Sequence, residues 1–180
     1  MSIMMNIMPA VADTMLNGDA STLGFLMAAS GVGAFIGTAV VLPLAQTQKR
    51  IGMVVGYGVI WMGAWWIVLS QISLLSVAIL AIFMMSLAAP MVFTTATILL
   101  QLMSPSDMRA RMMSTYTMLT FGLQPFAALL VGYSADQLGV PNAILINGVL
   151  LIVGALAVML LRAPIRRWEP ETVAPARAYR

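Results

Sequence analysis

The sequence predicts an all-α membrane protein: five full transmembrane helices behind a short N-terminal half-helix. Composition is the first reason. Hydrophobic residues make up 61% of the 180 and charged residues 8%, against roughly 45–50% and about 25% in a soluble domain. Mean hydropathy is +0.97. The second reason is length. Five stretches reach the roughly 20 apolar residues needed to cross a hydrocarbon layer about 30 Å thick, and none contains Asp, Glu, Lys or Arg. The third is the missing period-2 alternation of a barrel strand. Helix then remains as the form that satisfies every backbone group in lipid.

The elements follow in order. Residues 1–22 form an apolar half-helix and an outer loop. Its apolar part, Met1 to Ala12, rises only about 18 Å as a helix. It therefore lies along the outer interface or forms the second half of a spanning helix. A five-helix bundle occupies 23–161, with spans at about 23–45, 51–70, 74–103, 112–133 and 142–161. The connections between them are short and make successive helices antiparallel neighbours. Residues 162–180 carry five Arg, two Glu and three Pro, the composition of a basic, proline-rich tail without a core.

Charge sets the expected topology. All nine basic residues, Lys49, Arg50, Arg109, Arg111 and the five Arg of the tail, fall on one side of this threading. Asp13, Asp19 and Asp136 fall on the other. The positive-inside rule makes the basic side cytoplasmic, so the C-terminus is cytoplasmic and the protein multi-pass.

Residue types exclude much chemistry. No Cys means no disulfide, thiolate metal site or cysteine nucleophile. No His removes a Ser-His-Asp triad and the usual zinc or haem ligands. The expectation is a non-enzyme with no metal, no cofactor and no nucleic-acid partner. Its 17 Met read as adaptable packing.

Several motifs lie within the spans. Ala29, Gly33 and Gly37 recur every four residues in the first, and Gly52 and Gly56 repeat that spacing in the second. Such faces let two helix backbones approach closely, either as plain packing or as a sliding interface. Pro90 in the third span and Pro125 in the fourth each remove a backbone hydrogen bond and bend a helix. Gly122, Gln124 and Pro125 together predict a local break. Thr94, Thr120, Gln124 and Asn147 are polar groups at membrane depth. Each either bonds back to its own helix or lines a polar path. In the third loop, Ser104 or Ser106 is expected to cap the next helix, with Asp107 in its first turn. Asp107, Arg109 and Arg111 there form a cytoplasmic anchor or a charged latch.

At this point a resemblance becomes specific. The Gly31-Val-Gly-Ala-Phe-Ile-Gly37 run, the Leu100-Gln101 to Arg109-Ala-Arg111 loop, and the stretch from Gly122-Leu-Gln-Pro125 through Gly132 and Asp136 to Gly139 resemble the C-terminal half of a major facilitator superfamily transporter. The resemblance is to the bacterial drug, macrolide and siderophore exporter branch of the enterobactin-exporter kind. It departs at Ala110, where the family usually has Gly, and in a first loop without an acidic residue. It implies that the five spans are transmembrane helices eight to twelve and that Met1 to Ala12 ends helix seven. It also implies a bacterial inner-membrane location. The chain would be half of an exporter of small amphipathic molecules, completed by a second half or by self-association. Thr94, Thr120, Gln124 and Asn147 would face the substrate, and Gly33 and Gly37 the moving interface. The alternative is a non-transporting accessory subunit bound to a larger respiratory or photosynthetic membrane complex. In both cases the partners are the lipid bilayer and another membrane polypeptide.

Overall fold

The computed structural model describes residues 7–46, 51–105 and 107–161. Among them there is no strand, and five helical spans, the fourth made of two helices end to end, are long and apolar enough to cross a membrane. Helix α1 covers 7–15 and widens into a π-turn at Val11–Met15. Helix α2 covers 20–46, with a second π-turn at Gly37–Val41. Then come α3 (Ile51–Ser70), α4 (Leu75–Met103), α5 (Arg109–Gly122), α6 (Gln124–Leu138) and α7 (Val140–Leu161). The expected tail at 162–180, the start of the chain at 1–6, and Lys49 and Arg50 lie outside the described residues.

Helix boundaries depart from the expected spans for local reasons. The first span begins at Ala20 rather than residue 23 because Asp19 caps it. Its carboxylate accepts hydrogen bonds from the Ser21 and Thr22 backbone N–H groups, each at 3.1 Å, and from the Ser21 hydroxyl at 2.6 Å. These satisfy donors that a helix N-terminus leaves open, and the bond from the Ser21 hydroxyl, followed by that from the Thr22 backbone, holds the Asp19 carboxyl below the ordinary value. The third loop corrects the expected cap. Ser104 donates back to the Leu100 carbonyl, so it finishes α4 instead of starting α5. Met108 occupies the N-cap of α5 without a side-chain bond, and Ser106 is not among the described residues. The last helix starts at Val140 because Gly139 adopts φ +83°, a backbone that glycine reaches without strain.

The expected span at 112–133 is two helices. Gly122 ends α5, Gln124 starts α6, and Pro125 sits in the first turn of α6, where its missing N–H costs nothing. By contrast Pro90 lies inside α4, which continues unbroken from Leu75 to Met103.

Contacts define the helix directions. On α2 and α4, Gly33 lies against Phe83 and Ser86, and Gly37 against Leu87, so these two run parallel. Gly58 of α3 meets Met91 and Val92, while the Trp61 indole N–H donates to the Met84 carbonyl at 3.1 Å. Helix α3 is therefore antiparallel to α4. It is antiparallel to α7 as well, since Gly56 meets Met159 and Gly63 meets Gly148 and Ile152. The two ends of the bundle can be named by their loops. Asp19 and Asp136 mark the acidic end, and the connections at 47–50 and 104–108 mark the basic end.

The apolar core gathers toward the acidic end. Ile7, Met8, Val11 and Ala12 of α1 are buried among Leu26, Trp66, Leu69, Ile82, Met85, Val131 and Ile144. The N-terminal half-helix is thus packed inside the bundle.

Candidate functional site

Small residues bring the helices together. A Cβ on Gly33 would sit 2.6 Å from the Phe83 carbonyl oxygen and 2.9 Å from Ser86 Cβ, and one on Gly37 would overlap the Leu87 carbonyl. Beside them the buried Ser86 hydroxyl donates to Ser30 Oγ at 3.1 Å. This is close small-residue packing with a polar bond across it, the arrangement that holds helices together in lipid. Ala29 is half-buried on the same helix. Gly56 packs on Met159, whereas the surroundings of Gly52 are not described.

The second close contact was not read from the sequence. A Cβ on Gly63 would lie 2.9 Å from the Gly148 carbonyl oxygen, and one on Gly148 would lie 2.9 Å from that of Gly63. Gly63 is two helical turns beyond Gly56, so a seven-residue spacing would have placed both on one face. Gly148 has Ile144 and Ile152 at its four-residue positions and carries no such signal.

The polar candidates lie at similar depth on different helices. Counted from the basic end at 1.5 Å per residue, Thr94 is about 14 Å in, Thr120 about 17 Å, and Asn147 and Gln124 about 21–22 Å. All four are half-buried. The Asn147 side-chain amide donates to the Ala143 carbonyl of its own helix at 2.8 Å. Thr97, Thr115 and Thr117 bond back in the same way to Phe93, Arg111 and Met113. Thr94, Thr120 and Gln124 make no side-chain hydrogen bond among the described residues. Thr120 and Gln124 flank the break between α5 and α6. Thr94 is on α4, which has little contact with α5. One further polar group, the hydroxyl of Thr95, is buried without a partner.

The loop residues Asp107, Arg109 and Arg111 are exposed and form no ion pair among the described residues. The two Arg occupy the first turn of α5, the positive end of its macrodipole. No cluster of three or more possible metal ligands occurs among the described residues.

The break itself distinguishes the fourth span. Only 6% of its most apolar window is inside the bundle, compared with 17–39% for the other four spans. Helices α5 and α6 touch the bundle mainly through the hairpins that join them to α4 and α7. Yet this span carries Ser114, Thr115, Thr117, Thr120 and Gln124 along its length. The least covered span is thus rich in polar side chains at membrane depth.

No curated protein and no solved structure matches the sequence. A family model described as transmembrane secretion effector matches residues 1–180. Together with five apolar spans in an all-α bundle, that match over the whole chain identifies a multi-pass membrane protein of transporter-like role: the chain belongs to the transmembrane secretion effector family of the major facilitator superfamily.

Proposed function

We propose that this chain is the second lobe of an exporter of small amphipathic molecules, with α5–α6 facing the transport path. The observation that carries the reading is the fourth span, which is broken at mid-depth, rich in polar side chains and hardly covered by the bundle. Irregular backbone at membrane depth is tolerated where it lines a wet cavity or is covered by protein. Half-helix termini at mid-depth are a recurring feature of transporter binding sites. Gln124 and Thr120 at the break, Thr94 on α4 and Asn147 on α7 are the substrate-facing groups. The core filled by α1 closes the acidic end, and the path opens toward the basic, cytoplasmic end. A second wall comes from another membrane polypeptide or from a second copy of this chain. The loop residues Asp107, Arg109 and Arg111 latch the inner face against that wall.

The test is purification from native membranes followed by flux. The chain, with whatever copurifies, is reconstituted into vesicles and export of a fluorescent amphipathic cation is followed. Flux that falls to the empty-vesicle level in Gln124→Leu and Asn147→Leu supports the site. Unchanged flux in both variants overturns it. Stoichiometric copurification with an energy-transducing complex, without flux, overturns the transport reading in favour of an accessory role.

A further inference from the structure

A separate cleft of about 320 Å³ lies on a different face of α4 from the core. Its floor is the stripe Met84, Leu87, Ala88 and Met91 on α4, residues spaced to share one helix face. The core instead uses Ala78, Ala81, Ile82 and Met85, about 120° further round α4 at 3.6 residues per turn. Val41 of α2 forms one wall, and Tyr57, Gly58 and Trp61 of α3 form the other. The two walls meet little beyond the ends that their connection joins. Helix α2 is drawn onto α4 at Gly33 and Gly37, and the π-turn at Gly37–Val41 leads away from that contact to the rim.

The lining has almost no use for a polar guest. The Trp61 indole N–H is already taken by the Met84 carbonyl, and the other lining residues apart from Tyr57 offer only apolar side chains. Tyr57 and Trp61 are 62% and 47% exposed at the mouth. The cleft opens between two spanning helices into the hydrocarbon layer. Residues 20–106 contain just two charges, Lys49 and Arg50, both in the connection between the two walls. A phospholipid whose chain entered the cleft would have its phosphate at that same basic end, where the charges match.

We infer that the cleft between α2 and α3 holds an acyl chain of a phospholipid from the adjoining leaflet. An acyl chain matches the cleft in polarity, in position and in the sign of charge at its end. Bound there, it fills the gap that the convergence of α2 and α3 on α4 leaves, and wedges the two helices apart. This site is set apart from the break between α5 and α6, on which the transport reading rests.

The test uses the full chain in phosphatidylcholine vesicles containing phosphatidylcholine with a photoactivatable diazirine in mid-chain. Label per residue at Tyr57–Trp61 and Met84–Met91 is expected to exceed that at Phe35 and Leu150, ordinary exposed positions at 74% and 63%. Ala88→Phe, which fills the floor, should abolish the excess and leave Phe35 and Leu150 unchanged. Val41→Trp at the half-buried rim gives a second obstruction should the first impair folding. Labelling no higher than at Phe35 and Leu150 overturns the inference. So does an excess that persists in both variants, one displaced by an amphipathic cation, or cross-links joining two copies of the chain through the cleft.

Discussion

Two glycines two residues apart are predicted to respond in opposite directions. Gly33 faces α4, whereas nothing lies within 4 Å of a Cβ placed on Gly31. Gly33→Ala puts a methyl 2.6 Å from the Phe83 carbonyl, where non-bonded heavy atoms prefer about 3.5–4.0 Å. Relief requires α2 to retreat by about 1 Å, and a gap of 0.5–1 Å forfeits a quarter to a half of each contact's attraction. The Ser86–Ser30 bond, 3.1 Å long, is then stretched beyond hydrogen-bonding range; such bonds average about 0.6 kcal/mol in a membrane and reach about 1.7. With overpacking at about 1–3 kcal/mol, the expected loss for Gly33→Ala is about 2–3 kcal/mol. Gly31→Ala should instead stabilise by up to about 1 kcal/mol through helix propensity. The assay is reversible unfolding in mixed detergent micelles, followed by tryptophan fluorescence. Ser86→Ala provides the cycle: after Gly33→Ala it should cost almost nothing further, because the bond is already broken. Equal effects of Gly33→Ala and Gly31→Ala, or full additivity with Ser86→Ala, would refute the close approach.

Three further outcomes follow from the geometry. Gly63→Ala and Gly148→Ala should each destabilise by about 1–3 kcal/mol, and the double variant by less than their sum, since both crowd one contact; Gly154→Ala, with open space around it, is the control and should show no such loss. Thr95→Val should be neutral or stabilising, by up to about 1–3 kcal/mol, because it removes a buried hydroxyl that lacks a partner; a clear loss in the same unfolding assay would show that the hydroxyl has one. Asp19 has its folded-state pKa lowered by the Ser21 and Thr22 bonds, so its stabilising effect is complete above the unfolded carboxylate pKa and disappears as pH falls through the folded value. Acid titration of helix content should therefore show a loss in wild type that is absent in Asp19→Ala, and identical titrations would count against the cap.

How much of this was legible before the structure depended on the kind of signal. Span number and helical class follow from composition, because lipid leaves few alternatives for an uncharged apolar run. The break at Gly122–Gln124 was legible too, since Pro125 and Gly122 act on the backbone locally. The Ser30–Ser86 bond was not, because those residues are 56 positions apart and join only once Gly33 and Gly37 have chosen α4 as their partner. Gly148 was missed for a similar reason: its counterpart is Gly63 on another helix, not a glycine one turn away. Serine in the third loop misled because Ser104 can bond backward to Leu100 as readily as forward. A side chain at a helix junction has two competing sets of backbone partners, and residue type alone does not choose between them.

The uncovered fourth span can be weighed against lipid as the sole neighbour. Exposed leucine or phenylalanine argues for nothing in a bilayer, where lipid tails are as apolar as leucine. Ser114, Thr115 and Thr117 are also compatible with lipid, because each hydroxyl donates to a carbonyl of its own helix. Gln124 differs. Its amide carries two donors and an acceptor, and none is used among the described residues, so hydrocarbon contact would leave all of them unmet at mid-depth. Water or another polypeptide must serve this amide. That requirement makes the break, rather than the glycine faces or the charged loop, the feature on which the proposed transport path rests.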